Sequence, residues 1–208
     1  MFLTFEGIDG CGKTTQWQLL AQYFERKNID YLAIREPGAT LIGEKLREII
    51  HDPLTQINSY TEAYLYAACR AELVTAVIKP ALLTGQLVIC DRFLDSSLAY
   101  QGFARGLGVD KVRHINQVAT EGVTPDLTFW IDTPIDKAQE RLKKTALDRI
   151  EQEGVLFKES VRSGYIALAK ANTRIITIDG SQSIEAIHQQ ILFHIKNKSQ
   201  QPPSWQGG

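Results

Sequence analysis

Gly7-Ile8-Asp9-Gly10-Cys11-Gly12-Lys13-Thr14 is the stretch that decides the fold. It meets the pattern G-x-x-x-x-G-K-[S/T] without a gap. An apolar run before it, Phe2 to Phe5, reads as a strand, and Thr14 to Lys27 after it reads as a helix. That context gives the letters their meaning. Glycines let the backbone wrap so that its N–H groups face a polyphosphate, and the N-terminus of the following helix adds partial positive charge. Gly7, Ile8, Asp9, Gly10, Cys11, Gly12, Lys13, Thr14 and Thr15 are therefore expected to cradle a nucleoside triphosphate. Lys13 would reach the β- and γ-phosphates and the Thr14 hydroxyl would coordinate Mg²⁺.

Further along, the apolar strand Leu87 to Cys90 ends in Asp91, followed by Arg92. In phosphate-loop proteins a carboxylate after a buried strand beside the first strand holds Mg²⁺ or its water shell. A cation directly after it would face the transferring phosphate. Tyr31 to Ile34, Leu127 to Ile131 and Arg174 to Ile178 read as further strands. Leu41 to His51, Thr61 to Thr84 (with Pro80 placed to bend it), Asp110 to Gly122, a stretch from about Ile135, and Ser183 to Lys196 read as helices. The alternation predicts an α/β P-loop NTPase fold, three layers with a five-stranded parallel sheet between helices, and ligands at the carboxyl ends of the strands.

Composition narrows the function. A net charge of −1 gives no overall field for nucleic acid or an anionic membrane, so an anionic ligand must meet local positive charge. Three cysteines without metal-type spacing read as reduced thiols of a cytoplasmic protein. The N-terminus lacks the features of a signal peptide, and no apolar run reaches membrane-spanning length. A guanine-reading Asn-Lys-x-Asp is missing, since the one Asn-Lys continues as Ser199-Gln200 near the C-terminus. With 208 residues, a small-molecule kinase is the expectation, against a non-catalytic ATP-binding module.

Four further segments are collinear with that frame: Arg35-Glu36-Pro37-Gly38-Ala39-Thr40, the run from Asp91-Arg92 to Tyr100-Gln101-Gly102, Pro125-Asp126-Leu127-Thr128, and Leu147-Asp148-Arg149-Ile150-Glu151. Together with the phosphate loop they resemble the bacterial thymidylate kinase family from Phe5 to about Asp179. The resemblance implies one kinase domain over residues 1–196 with a lid at about 141–151, while residues 197–208, rich in Gln, Pro and Gly, read as a flexible tail. It implies transfer of the γ-phosphoryl of Mg-ATP to dTMP, for dTTP supply, by a homodimer.

The same resemblance implies roles. Asp9 would bind the acceptor's 3′-hydroxyl, and Glu36, with Pro37, would lie near the metal and the acceptor sugar. Tyr66 would place its ring on the thymine, with Arg70 on the base edge or phosphate and Arg47 lining the base pocket. Ser97 and Gln101 would read the pyrimidine's polar edge, Tyr100 would pack under the deoxyribose, and Arg92 would hold the acceptor phosphate. Asp91 and Thr14 would serve the metal, partly through water. The phosphate loop offers no arginine, so charge between the two phosphates falls to lid cations Lys143, Lys144 or Arg149, with Arg141 on the adenine. Three departures stand out: Ala39 where glycine is usual, a lid one residue short, and Tyr66 where phenylalanine is common. If position 39 needs positive φ, alanine there costs on the order of 1 kcal/mol.

Overall fold

The computed structural model describes residues 1–142 and 148–199. Five parallel strands, β1 (Phe2–Glu6), β2 (Tyr31–Arg35), β3 (Leu87–Asp91), β4 (Leu127–Asp132) and β5 (Ile175–Asp179), form one sheet in the order β2-β3-β1-β4-β5. Every residue of β1 is buried, because the central strand is covered on both faces. Side chains alternate between those faces. Leu3, Phe5 and Ile89 join a core with Leu20, Phe24, Phe129 and Tyr165, while Phe2, Val88 and Cys90 pack with Leu73, Val74, Ile78 and Phe93.

Helix α1 (Lys13–Arg26) buries Lys13, Gln16, Leu20 and Phe24, a stripe at helical spacing. Helix α2 (Leu41–His51) starts where Thr40 accepts from the Gly43 amide, and α3 (Ser59–Leu73) where Asn58 accepts from that of Thr61. The Asn58 cap sets the start at Ser59, two residues ahead of the sequence expectation. Beyond α3 a π-helical turn, Val74–Ile78, precedes α4 (Lys79–Leu83), so the irregularity falls just before Pro80, which has no N–H to donate. Helix α5 (Leu94–Ser97) runs into a second π-helical segment, Leu98–Ala104, which carries Tyr100 and Gln101. Helices α6 (Val109–Thr120), α7 (Ile135–Leu142), α8 (Val155–Ala171) and α9 (Ile184–Ser199) complete the described layers.

Two differences from the sequence reading are plain. Helix α8 had no counterpart there, although it buries Val161, Gly164, Tyr165 and Leu168 at helical spacing. Helix α9 runs to Ser199, three residues into the stretch read as tail, because Ile195 is buried and the Ser199 hydroxyl caps its carbonyl at 2.9 Å. Residues 200–208 lie outside the described residues. Among those described, no helix is long and apolar enough to cross a membrane.

The β2–α2 connection does require the left-handed region, since Ala39 has φ 63°. Its amide donates to Glu44 Oε1 at 2.8 Å, and Arg35 Nη2 holds both Glu44 oxygens at 2.9 Å, so the loop is tied in that shape. A Cβ in this region is strained. Ala39→Gly is therefore expected to raise the unfolding free energy by about 0.5–1 kcal/mol, after allowing for the looser unfolded chain. Urea unfolding checks this, and an unchanged or lower midpoint would contradict it.

Candidate active site

Glu6, Arg35 and Asp91 end neighbouring strands, with Asp91 in register with both Phe5 and Arg35. The chain end of each strand thus delivers a charged residue to one edge of the sheet, where the phosphate loop also emerges. Gly7 (φ 140°) and Gly10 (φ 80°) shape that loop. A Cβ on Gly10 would lie 2.3 Å from the Ala138 carbonyl oxygen, so the loop is pressed against α7. Thr133 Oγ1 and Arg141 Nη1 both donate to the Cys11 carbonyl, at 2.9 and 3.0 Å, and Arg141 also reaches Gly10 O at 3.1 Å. Arg141 thus lies on the loop through its carbonyls, and Thr15 is exposed on the first turn of α1.

At the head of the cleft one carboxylate joins two cations. Asp9 Oδ1 accepts from Lys13 Nζ at 3.1 Å and from Arg92 Nη2 at 2.5 Å. Burial alone would raise the Asp9 pKa, but Arg92 and then Lys13 outweigh it and hold the carboxyl well below the usual range. Arg92 has φ 72°, a strained conformation for a non-glycine residue that aims its side chain back over the loop. Its Nη1 donates to Ser96 Oγ at 3.0 Å, its Nη2 to Tyr100 Oη at 3.2 Å, and the guanidinium lies 5.1 Å from the Tyr100 ring centre.

Thr14 Oγ1 donates to Asp91 Oδ2 at 2.7 Å, while Asp91 Oδ1 is buried with no hydrogen-bond partner among the described residues. Hydroxyl and carboxylate oxygens beside a phosphate loop are the donor set a hard cation such as Mg²⁺ takes, and the partnerless oxygen is a vacant acceptor for it or for its water. The residues present fit that metal.

A cavity of about 300 Å³ opens from this head, within the size range of small-ligand clefts. Asp9, Lys13, Thr14, Glu36, Pro37, Arg47, Tyr66, Asp91, Arg92, Ser97, Tyr100 and Gln101 all line it. Arg47 donates to the Pro37 carbonyl at 3.0 Å, and burial and nearby Glu62 push the half-buried Tyr66 hydroxyl up from its ordinary pKa. Arg70 is placed differently. It is 1% exposed and does not line the cavity, because Glu36, Asn116, the Phe93 carbonyl (3.2 Å) and Ser97 Oγ (3.1 Å) take its donors. Arg149 is also turned away. It donates to Ile50 O at 2.8 Å and pairs with buried Glu62 at 2.8 Å. Lys143 and Lys144 lie outside the described residues.

Several functional neighbours had no role in the sequence reading. Ser96, His51, Asp148, Ile150 and Glu151 also line the cavity, and His51 Nδ1 and Asp148 Oδ2, 2.5 Å apart, join the end of α2 to the C-terminal end of the lid segment. Glu6 is fully buried and takes Phe93 N–H (2.8 Å), Ser96 O–H (2.5 Å) and Tyr165 O–H (2.8 Å), so it braces the turn that aims Arg92. The one signal for it in sequence was an acid ending an apolar strand just before the loop.

A profile of the thymidylate kinase family matches residues 5–191. This chain belongs to the thymidylate kinase family. The thymidylate kinase of Fervidobacterium nodosum is 50% identical over 193 residues, covering 92% of this chain and 96% of that protein. That of Thermosipho africanus is 50% identical over 191 residues, covering 92% and 95%. The crystal structure of thymidylate kinase from Ehrlichia chaffeensis superposes with a TM-score of 0.77 at 34% identity, covering 94% of this chain and 98% of that one.

Burial raises the Glu6 pKa to about 7, helped by Asp95 and opposed by Arg92 and the hydrogen bonds; burial raises Glu36 to about 7 against the pull of Arg70. A carboxyl whose folded pKa is raised favours the folded state fully below its unfolded pKa, near 4.5, and loses that contribution as pH rises through about 7. Glu6→Gln removes one such group. The stability of wild type relative to this variant is expected to fall between about pH 4.5 and 7.5, checked by chemical denaturation across that range. A flat difference would contradict burial of a neutral Glu6.

Proposed function

We propose that this thymidylate kinase family member phosphorylates dTMP to dTDP with ATP, feeding dTTP supply for DNA synthesis. The observation that carries the reading is the single Asp9 oxygen shared by Lys13 and Arg92 at the mouth of a cleft whose walls bear Tyr66, Ser97, Tyr100 and Gln101. Donor-side and acceptor-side cations are thereby held within one carboxylate's reach of each other, as in-line transfer between two phosphates requires.

Lys13 and the loop amides hold the donor phosphates, and Arg92 takes the acceptor phosphate, with Arg47 the further cation on the cleft wall. Asp9, released from part of its ion pairing as phosphates arrive, accepts from the acceptor's 3′-hydroxyl. Tyr66 supplies a ring face for the base, and Tyr100 fills the space under the sugar. Thr14 and Asp91 would hold Mg²⁺, partly through water, where it would supply positive charge to the donor oxygens. No general base is needed, since a phosphate oxygen is already a nucleophile. Charge between the phosphates falls to the lid at about 141–151, through Lys143 and Lys144, or through Arg149 once it exchanges Glu62 for phosphate.

The three cysteines are free and buried, which supports a reducing, cytoplasmic setting. Tyr60 and Tyr64, one turn apart and exposed on α3, lie with exposed Val118 of α6 on helices that pack together, and support a homodimer through that face. Sedimentation at the monomer mass of 23.3 kDa would contradict it.

Lys13→Ala is expected to lower kcat by about 10²-fold or more, because it removes charge stabilisation of the transition state. Near-normal turnover would sink the phosphate-loop assignment. Tyr100→Phe should change dTMP turnover little, while Tyr100→Ala should admit UMP, and continued exclusion of UMP by the alanine variant would remove Tyr100 as the sugar gate.

A further inference from the structure

Glu62 lies one turn before Tyr66 on α3 and is 1% exposed. Its carboxylate faces only donors. Oε1 accepts from Gln101 Nε2 at 2.8 Å and from Arg105 Nε at 3.2 Å; Oε2 accepts from Arg105 Nη2 at 3.2 Å and pairs with Arg149 Nη1 at 2.8 Å. A carboxylate between two guanidiniums accepts and does not donate. The Gln101 carboxamide, otherwise free to present either end, must therefore turn its NH₂ to Glu62. Gln101 is 2% exposed and lines the cleft, so its Oε1 is the atom left for a ligand. The adjacent reader is polarised in the opposite sense. Ser97 Oγ accepts from Arg70 Nη2 at 3.1 Å, and a guanidinium cannot accept, so the hydroxyl proton is free for the cleft.

We propose that Glu62 is a positioning residue for base selection: through Gln101 it sets an acceptor beside the Ser97 donor, a pattern that takes thymine or uracil and refuses cytosine. The pyrimidine edge of dTMP offers an N3–H donor next to an O4 acceptor. Cytosine reverses both, with an N3 acceptor and an N4 amino donor. A fixed donor–acceptor pair meets the first and leaves two buried polar groups unpaired against the second, which is how hydrogen-bonding sites reject near-isosteric ligands. The same carboxylate holds Arg149 of the lid segment, and Arg105, stacked 4.5 Å over Phe157 of α8, so the lid segment and α8 both brace Glu62.

This inference rests on the acceptor pocket proposed above, and the test separates the two. In Glu62→Gln the new amide donor faces Gln101, whose carboxamide then turns over and shows NH₂ to the cleft. The ratio of kcat/KM for dTMP over dCMP should fall about tenfold or more, while the dTMP to dUMP ratio holds, since both bases carry N3–H. In a Gln101→Leu background the same substitution should leave the dTMP to dCMP ratio unchanged. A variant that loses turnover equally on dTMP and dCMP, or that shifts the ratio with Gln101 already gone, overturns the positioning role. N3-methyl-dTMP gives an arm that needs no variant: wild type should bind it at least about tenfold more weakly than dTMP, and equal binding overturns the acceptor assignment. A wild type that does not favour dTMP at all would instead fail the pocket itself.

Discussion

A carboxylate inside a phosphate-binding loop is the constraint around which the rest is arranged. Asp9 would repel a triphosphate if left alone among the loop amides. It is instead held by Lys13 from α1 and by Arg92 from the end of β3, and its acidity is deepened by both. That arrangement needs β1 and β3 to be neighbours, in register at Phe5 and Asp91, and it needs Arg92 to accept a left-handed backbone. The local strain is offset by the contacts that over-determine it: the Arg92 amide on Phe5 O at 2.9 Å, the guanidinium on Asp9, Ser96 and Tyr100, and buried Glu6 gripping Phe93 and Ser96 on the same turn.

In and behind the cleft wall, buried charged pairs give the lining side chains their orientation. Glu36 faces Arg70, Glu62 faces Arg105 and Arg149, and Asp95 faces Arg174 at 2.7 Å. Such pairs contribute little net stability, because desolvation consumes most of the attraction. Their effect here is geometric. Arg70 holds Ser97, Glu62 holds Gln101, and Glu6 holds Ser96, so these three side chains on one π-helical stretch and its preceding turn reach the cleft already oriented.

The sequence made the chemistry-bearing segments legible because each has a local signature. The phosphate loop has fixed spacing between a strand and a helix, and Asp91-Arg92 closes an apolar strand. Five apolar runs marked the five strands, whereas the sequence left open whether position 39 takes the positive φ that Ala39 adopts. What stayed hidden depends on tertiary neighbours. Arg70 shares a helix face with Tyr66, yet packing against Glu36 and Asn116 withdraws it from the cleft. Glu6 and Glu62 gain meaning only from partners 87 to 159 and 39 to 87 residues away in the chain. Helix α8 was missed because Gly154 opens it with no side-chain cap, and its buried stripe includes a glycine, which carries no hydrophobic signal.

If two phosphate sites meet at Asp9 and the second takes dTMP, the choice of acceptor follows. The most direct test is ADP release with Mg-ATP and each of dTMP, dUMP, UMP, dCMP, dAMP, dGMP and thymidine as acceptor. Strong preference for dTMP is expected, with no turnover of thymidine, which brings no phosphate to Arg92. Comparable turnover of thymidine, or preference for a purine monophosphate, would contradict it.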